Sequence, residues 1–473
     1  MANSPKQLTQ SQKEELTMRM KSQRQAYLEM PLPSNVTKVV KEFLAKYQGI
    51  DAILRANPRV LDLAHADFCR HLSDSDDGRE SRYTSEELVR TLVILFVEEA
   101  SYRDVVVRIE ISEPLRNFIG LGFAKRMMDF SLVSKAFSAL SEATWQAINT
   151  ALSQYARAEK KIRGDGLRVD TTVYETNIHY PTDSSLLWDS FRVLARILQE
   201  IQRAYPALGL CHRYHIRKVK RLAQSISRNA GSPSVSKQRT VKRWYRTLME
   251  RVQWIVGIAQ SVQGLAGPTL LEGFELAHFA PLVTQVLDQA QRRIFQGEVV
   301  PADEKLYSLF EAHTELLIRG KAGKPVEFGH KVLLAQTREK FITCYRSLLK
   351  RIEDKDLLAG TLDGHRALFG AFPSLLATDK GFYASAKQLA GLEKEIQTVS
   401  ICKKGRLTAE EHAREHTEAF QDGQRFRSGV EGSISVLKRA FKLNRCLFKG
   451  FKNFAASVGC AVFCHNLVLL TRL

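Results

Sequence analysis

Cysteine is scarce in this chain. Seven cysteines are scattered over 473 residues, an odd number with no paired spacing. A disulfide framework is therefore not expected, and the thiols read as reduced, as in a cytosol. Cys460 and Cys464 lie one helical turn apart, but no second pair has zinc spacing, so they read as small core residues. An apolar leader is also missing. The opening MANSPKQLTQ is polar, so no secretory signal is expected and a cytoplasmic protein is. The longest apolar stretch, Ala455 to Leu470, is interrupted by Cys464, His465 and Asn466, which favours a buried helix over a membrane span. Two catalytic motifs are absent. Without a G-x-S-x-G elbow a Ser-His-Asp hydrolase has no support, and without a Walker-type phosphate loop no nucleotide cofactor is expected.

Acidic residues are the other shortage. There are 51 Asp and Glu against 70 Lys and Arg, a formal charge of +19. That imbalance does not choose a fold, but it favours a large anionic partner, most simply nucleic acid. The shortage is also local. From Cys211 to Arg246 there are eleven Lys and Arg and no acid, with Tyr214, Trp244 and Tyr245 among them. Such a mixture suits phosphate contact by residues such as Arg243 and stacking by Trp244, although basic runs are often only solvated faces. After Glu431 no acid occurs through Leu473, while Lys438, Arg439, Lys442, Arg445, Lys449 and Lys452 follow. Those cations are expected to line a DNA channel. Lys403, Lys404 and Arg406 form a smaller group that a surface loop would explain equally well.

Periodicity and capping divide the chain. The first ~160 residues read as helical. Pro31 and Pro33 end a polar N-terminal helix, and Ser73 to Gly78 forms a loop. Thr84 with Glu87 makes a capping box, Ser101 with Asp104 a second start, and Ser112 with Pro114 a third. Ser131 is expected to cap a helix through Leu140. With Lys125, Arg126 and Lys135 nearby, this part fits a helix-turn-helix-like module, or equally a plain helical bundle. Strands are expected at Gly166–Val173, Thr314–Ile318, Val326–Ala335, Lys340–Tyr345, Ser374–Ala377 and Ile396–Ile401. Between the first two, a helical insertion of three or four helices is broken at Gly231-Ser-Pro233. The expected organisation is α+β. It comprises an N-terminal helical region (1–82), a helical DNA-binding domain (83–160), a mixed α/β domain (161–183 and 301–473) and a helical insertion (184–300).

Three carboxylates stand out in the mixed domain. Asp170 lies in an apolar, β-branched strand, where a charge is costly without a partner or metal. Asp379 follows Leu375-Leu376-Ala377 and precedes Gly381. Glu431 lies on a helix with Arg427 at i−4 and Lys438 at i+7, all on one face beside an apolar stripe of Val430, Ile434, Leu437 and Phe441. Singly, each reads as a cap, a turn residue or a solvated pair. Together they can hold two Mg²⁺ ions for phosphodiester chemistry. His179 and Asp183 are also i,i+4, but Pro181 lies between them and argues against a metal pair.

These residues resemble a family. Arg427, Glu431 and Lys438 match R-x3-E-x6-K of the Y-R-E-K signature of bacterial insertion-sequence DDE transposases. Arg168-Val-Asp170-Thr-Thr-Val173 with Asn177 to Ser184 is similar to that group's first-aspartate block. Glu327-Phe-Gly-His-Lys331 resembles its internal strand motif, and Ala377-Thr-Asp379-Lys-Gly-Phe-Tyr383 its second-aspartate block. Lys449 to Phe454 and His465-Asn466-Leu467 match its ending, and Tyr83 to Trp145 is similar to its preceding helical domain. The resemblance covers most of the chain outside 1–50 and 184–300. It implies an RNase H-like catalytic domain in which Asp170, Asp379 and Glu431 are the catalytic and metal-binding residues. The metal would be Mg²⁺, with Mn²⁺ able to substitute. Transposon ends (terminal inverted repeats) would be cut and joined to target DNA, with a homodimer bridging two ends. The signature's tyrosine is Gln424 here, at a position expected to contact DNA near the cut. The competing expectations are a catalytically silent DNA-binding descendant and a structure-specific nuclease without strand transfer.

Overall fold

The computed structural model describes residues 19–23, 35–72, 82–122, 125–266, 271–321 and 324–473. The expected N-terminal helix ending at Pro31 and Pro33, and the Ser73–Gly78 loop, lie outside these residues. The protein is mixed α/β. It divides into two compact units, residues 1–174 with 331–473 and residues 175–330.

Among the described residues the first unit begins with seven helices: α1 (Lys38–Ala56), α2 (Arg59–His71), α3 (Ser85–Val97), α4 (Tyr102–Ile111), α5 (Glu113–Ile119), α6 (Phe130–Ala139) and α7 (Glu142–Ala158). Their starts follow the capping chemistry. Thr84 and Glu87 form a reciprocal capping box, as do Ser101 and Asp104, satisfying amides that the first turn leaves open. Ser131 is not the cap of α6. Asp129 is, its carboxylate accepting from the Ser131 backbone N–H. Lys125 folds inward, with its Nζ 2.8 Å from Glu87 Oε1. Residues 83–160 share one hydrophobic core with the strands and the last helix of this unit.

The sheet of this unit is built around β1 (Gly166–Thr176). β1 lies between β3 (Lys324–Gln336) and β5 (Leu375–Thr378), and β6 (Thr398–Ser400) lies beyond β5. β1, β5 and β6 are parallel, while β4 (Ile342–Ser347) runs antiparallel to β3. A short β7 (Arg445–Cys446), not expected from the sequence, pairs with β1. Alternation along β3 sends Val332 and Leu334 into the helical core, and Leu333 and Ala335 into a second core with Leu167, Val169, Leu376 and Val399. A strand buried on both faces must carry an apolar run, as this one does. Four further helices follow the strands: α12 (Asp354–Phe369), α13 (Ala386–Glu395), α14 (Ala409–Glu415) and α15 (Glu418–Ala440).

The chain closes on α16 (Gly450–Leu470). It is the one described helix long and apolar enough to cross a bilayer, and 89% of its apolar window is buried within the protein. Cys460 and Cys464 are core residues on it, and all seven cysteines are free thiols. Gly459 admits a close approach, since a Cβ there would meet Trp145 and Tyr345 Oη, both at 2.5 Å. Asn466 clasps β4 with two bonds. Its Oδ1 accepts from Ile342 N–H at 3.0 Å, and its Nδ2 donates to Ile342 O at 2.8 Å.

The second unit contains α8 (Asp183–Ala204), α9 (Ile216–Asn229), α10 (Val235–Ala266) and α11 (Leu271–Ile294), the four helices of the expected insertion. They enclose a core of their own, from Leu186 to Leu309. The Gly231–Pro233 break separates α9 from α10. The unit extends past the expected 184–300. It includes β2 (Glu315–Lys321), which pairs antiparallel with the first half of β3. His179 meets Asp189 at 3.5 Å and Asp183 meets Arg293 at 2.7 Å, so the two i,i+4 residues take different partners.

Candidate active site

The parallel register of β1 and β5 pairs Val169 with Thr378. Asp170 and Asp379 are the residues that follow this last pair. Asp170 alternates with Arg168 on the face opposite the Leu167–Val169 core. β5 ends at Thr378, so Asp379 leaves the sheet, whereas β1 continues to Thr176. Asp170 is therefore mid-strand, at the point where the neighbouring strand stops.

Helix α15 packs on β5 and β6. Thr417 caps its start. Gly423 sets its distance, since a Cβ there would collide with the Ser400 side chain. Gln424 is turned to the sheet, with its amide donating to Ser400 O and Ser400 Oγ, both at 2.9 Å. Ser400 Oγ in turn donates to Phe420 O at 2.8 Å. The Gln424 side chain thus fastens the helix to β6. Two residues later, Arg168 Nη1 donates to Phe426 O at 2.9 Å, and its guanidinium lies 5.0 Å from the Phe426 ring. Arg168 Nε donates to Gln336 Oε1 at 2.8 Å. Burial pulls the Arg168 pKa down to about 10, the expected direction when a cation loses water.

So fastened, α15 presents Arg427 and Glu431 over the aspartates. Arg427 Nη2 lies 3.4 Å from Asp170 Oδ2 and 3.8 Å from Glu431 Oε1. Asp170 is only 8% exposed, while the Glu431 side chain is 68% exposed. The other Asp170 oxygen accepts from Thr171 N–H at 2.7 Å. A buried carboxylate needs such compensation. Asp379 Oδ1 accepts from Gly381 N–H at 2.8 Å.

One neighbour, Asp354, escaped the sequence reading. A Cβ on Gly381 would sit 2.8 Å from Asp379 Oδ1 and 2.9 Å from Asp354 Oδ2, so the glycine is wedged between two carboxylates. Asp354 is paired with Lys331 Nζ at 3.0 Å. Lys404 Nζ donates to Gly381 O at 3.2 Å, over the same turn. In sequence, Asp354 is an ordinary acid in the first turn of α12, and only the fold brings it to Asp379.

The remaining candidates are dispersed. Lys438 is half-buried on α15, and Arg439 and Arg445 are exposed. Lys442 is half-buried, and burial lowers its ammonium pKa against the opposing pull of Glu99 and Asp104. Lys403 Nζ is bonded to Glu411 at 2.7 Å. In the second unit Arg243 is exposed. Trp244 packs against the helical core there, and Tyr214 and Tyr245 are buried. These aromatics hold helices together and do not offer free stacking faces.

The donors over β1 and β5 are all carboxylate oxygens, the type a hard divalent cation takes. Among the described residues no three His, Cys, Asp or Glu side chains are gathered closely enough to hold an ion. The Arg427 guanidinium stands between Asp170 and Glu431, so the protein's own cation offsets part of their charge. Comparison with family models, with curated proteins and with solved structures gives no match.

Proposed function

We propose that this protein is a DDE-type transposase with an RNase H-like catalytic unit. The observation that carries the reading is the parallel register that ends at Val169 and Thr378, one residue before Asp170 and Asp379, together with a helix whose Arg427 meets both Asp170 and Glu431. Two adjacent strands and one packed helix thus supply the three carboxylates that the family resemblance requires, in the expected order along the chain.

Asp170, Asp379 and Glu431 are the residues that would hold Mg²⁺. When bound, such ions activate water or a 3′-hydroxyl and stabilise the leaving oxygen. The chain's own side chains do the remainder. Arg427 offsets the carboxylate charge in the free site and, once released from it, gives a planar fork suited to a phosphate. Lys438, about three turns further along the same helix, extends the cationic line. Gln424, Gly423 and Arg168 fix α15 on the sheet, so Glu431 reaches the aspartates from a rigid support. The strongly basic composition supports duplex DNA as the substrate.

The test is Glu431→Gln in the full chain with Mg²⁺ and a DNA carrying the element's ends. The variant is expected to bind end DNA while neither nicking nor joining it. Wild-type cutting and joining by that variant would remove the assignment.

A further inference from the structure

The eleven cations of residues 211–246 are all exposed, and among the described residues none pairs with a carboxylate. Four acids of this unit are engaged elsewhere. Asp189 is held by Arg192, Asp183 by Arg293, and Glu298 and Glu304 by Arg292. On α9, Val219, Ala223 and Ile226 are buried, and Arg217, Lys220, Arg221 and Arg228 occupy the opposite face by helical spacing. On α10, Arg239, Lys242, Arg243 and Arg246 recur at i, i+3, i+4 and i+7, a single stripe beside the buried Val241, Tyr245 and Leu248. From Arg239 to Arg246 the stripe runs roughly 10 Å along the helix axis, the reach of about three charges on one DNA strand.

Two features decide how such a surface binds. Ordinary solvated faces mix both signs, and this one holds only one. Its aromatics are spent inside, with Tyr214 and Tyr245 3% and 6% exposed and Trp244 packed on the core. Nothing in 211–246 therefore offers a stacking platform. Most apolar residues of both helices are likewise used within the unit, and the exposed Val235 and Trp254 are too far apart on α10 to form the continuous apolar face that an interfacial helix inserts into a bilayer.

We infer that α9 and α10 form a sequence-neutral grip on the phosphates of double-stranded DNA, through unpaired Lys and Arg and without base stacking. The choice of DNA over other polyanions rests on the proposed function. Such a grip suits DNA of arbitrary sequence, such as a target, better than a defined terminal repeat.

The test uses the full chain with metal chelated and fluorescent duplexes of two unrelated sequences, titrated across salt concentrations. Arg239→Gln, Lys242→Gln and Arg243→Gln are combined in one variant. The logarithmic salt slope of binding is expected to shrink by about 3 on both sequences, close to 0.9 per lost phosphate contact, with the melting temperature unchanged. An unchanged slope would overturn the inference. So would a loss confined to one sequence, which would mean base reading, or a loss of binding to anionic vesicles with duplex binding intact. With metal chelated, the result does not depend on the carboxylates. A chain that grips DNA this way but never cuts it refutes the proposed function alone. A chain that cuts while the triple variant keeps its slope refutes only this inference.

Discussion

The cations of the two units are used in opposite ways. In the first unit Arg168, Arg427, Lys331 and Lys125 reach inward to carboxylates, amides and carbonyls of the same unit. In the second, those of 211–246 stand exposed, and among the described residues none is paired with a carboxylate. Charge in the sequence looks the same in both places. The difference is desolvation. A buried guanidinium loses water and must be repaid by fixed partners, so it becomes part of the architecture. An exposed one keeps its water and costs the fold little, which leaves it free for a partner that displaces counterions.

The contrast breaks most sharply at Arg168. Arg168→Met should remove the bonds to Gln336 and Phe426 O and destabilise the protein by about 2–4 kcal/mol, since buried partners are left unsatisfied. Urea denaturation measures this, and a stability equal to wild type would mean that the inward cations are as dispensable as the exposed ones. The glutamine triple on α10 should show no such loss in the same experiment, because surface changes away from packed features are nearly neutral.

Gly423→Ala tests the support of the site from the packing side. Its added methyl would meet Ser400, and overpacking of this kind costs about 1–3 kcal/mol. End cleavage should fall with it, because α15 carries Arg427 and Glu431, whereas duplex binding with metal chelated should hold if the second unit supplies the grip.

The remaining effect is set by pH. Burial lowers the His465 pKa to about 4 from an ordinary 6.5. Below pH 6.5 the unfolded chain takes up a proton that the folded chain refuses. This contribution to stability is complete above pH 6.5 and is lost as the pH falls toward 4, by about 1.4 kcal/mol per unit. Urea midpoints across that window should show the limb, and His465→Gln should flatten it. An unchanged limb would place the acid sensitivity elsewhere.

Much of the architecture was legible along the chain. Two capping boxes, six strands and the break at Gly231–Pro233 follow from local patterns, because caps, alternation and turn residues act over a few neighbours. Asp129 shows the limit of that reading. Its side chain competes for the amide of Ser131, and either residue fits the pattern. The short β7 gave no periodic signal, since two residues cannot show one. Asp170, Asp379 and Glu431 were each visible as costly or repeatedly spaced carboxylates, and the fold adds the parallel register that ends one residue before the first two. Asp354 gave no such signal, because an acid in a helix's first turn is ordinary and its approach to Gly381 depends on how α12 docks.

The sequence by itself determined the composition of each surface and the periodicity of each element: a basic, acid-free stretch, a both-faces-buried strand, and a helix with Arg, Glu and Lys on one side. Those properties depend on residue type and spacing alone. Only the tertiary structure decided which polar groups face which. It turned Gln424 to Ser400, set Arg427 between Asp170 and Glu431, and buried Tyr214, Tyr245 and much of Trp244 among helices. Such choices follow from packing and desolvation over long chain separations, and no local pattern encodes them.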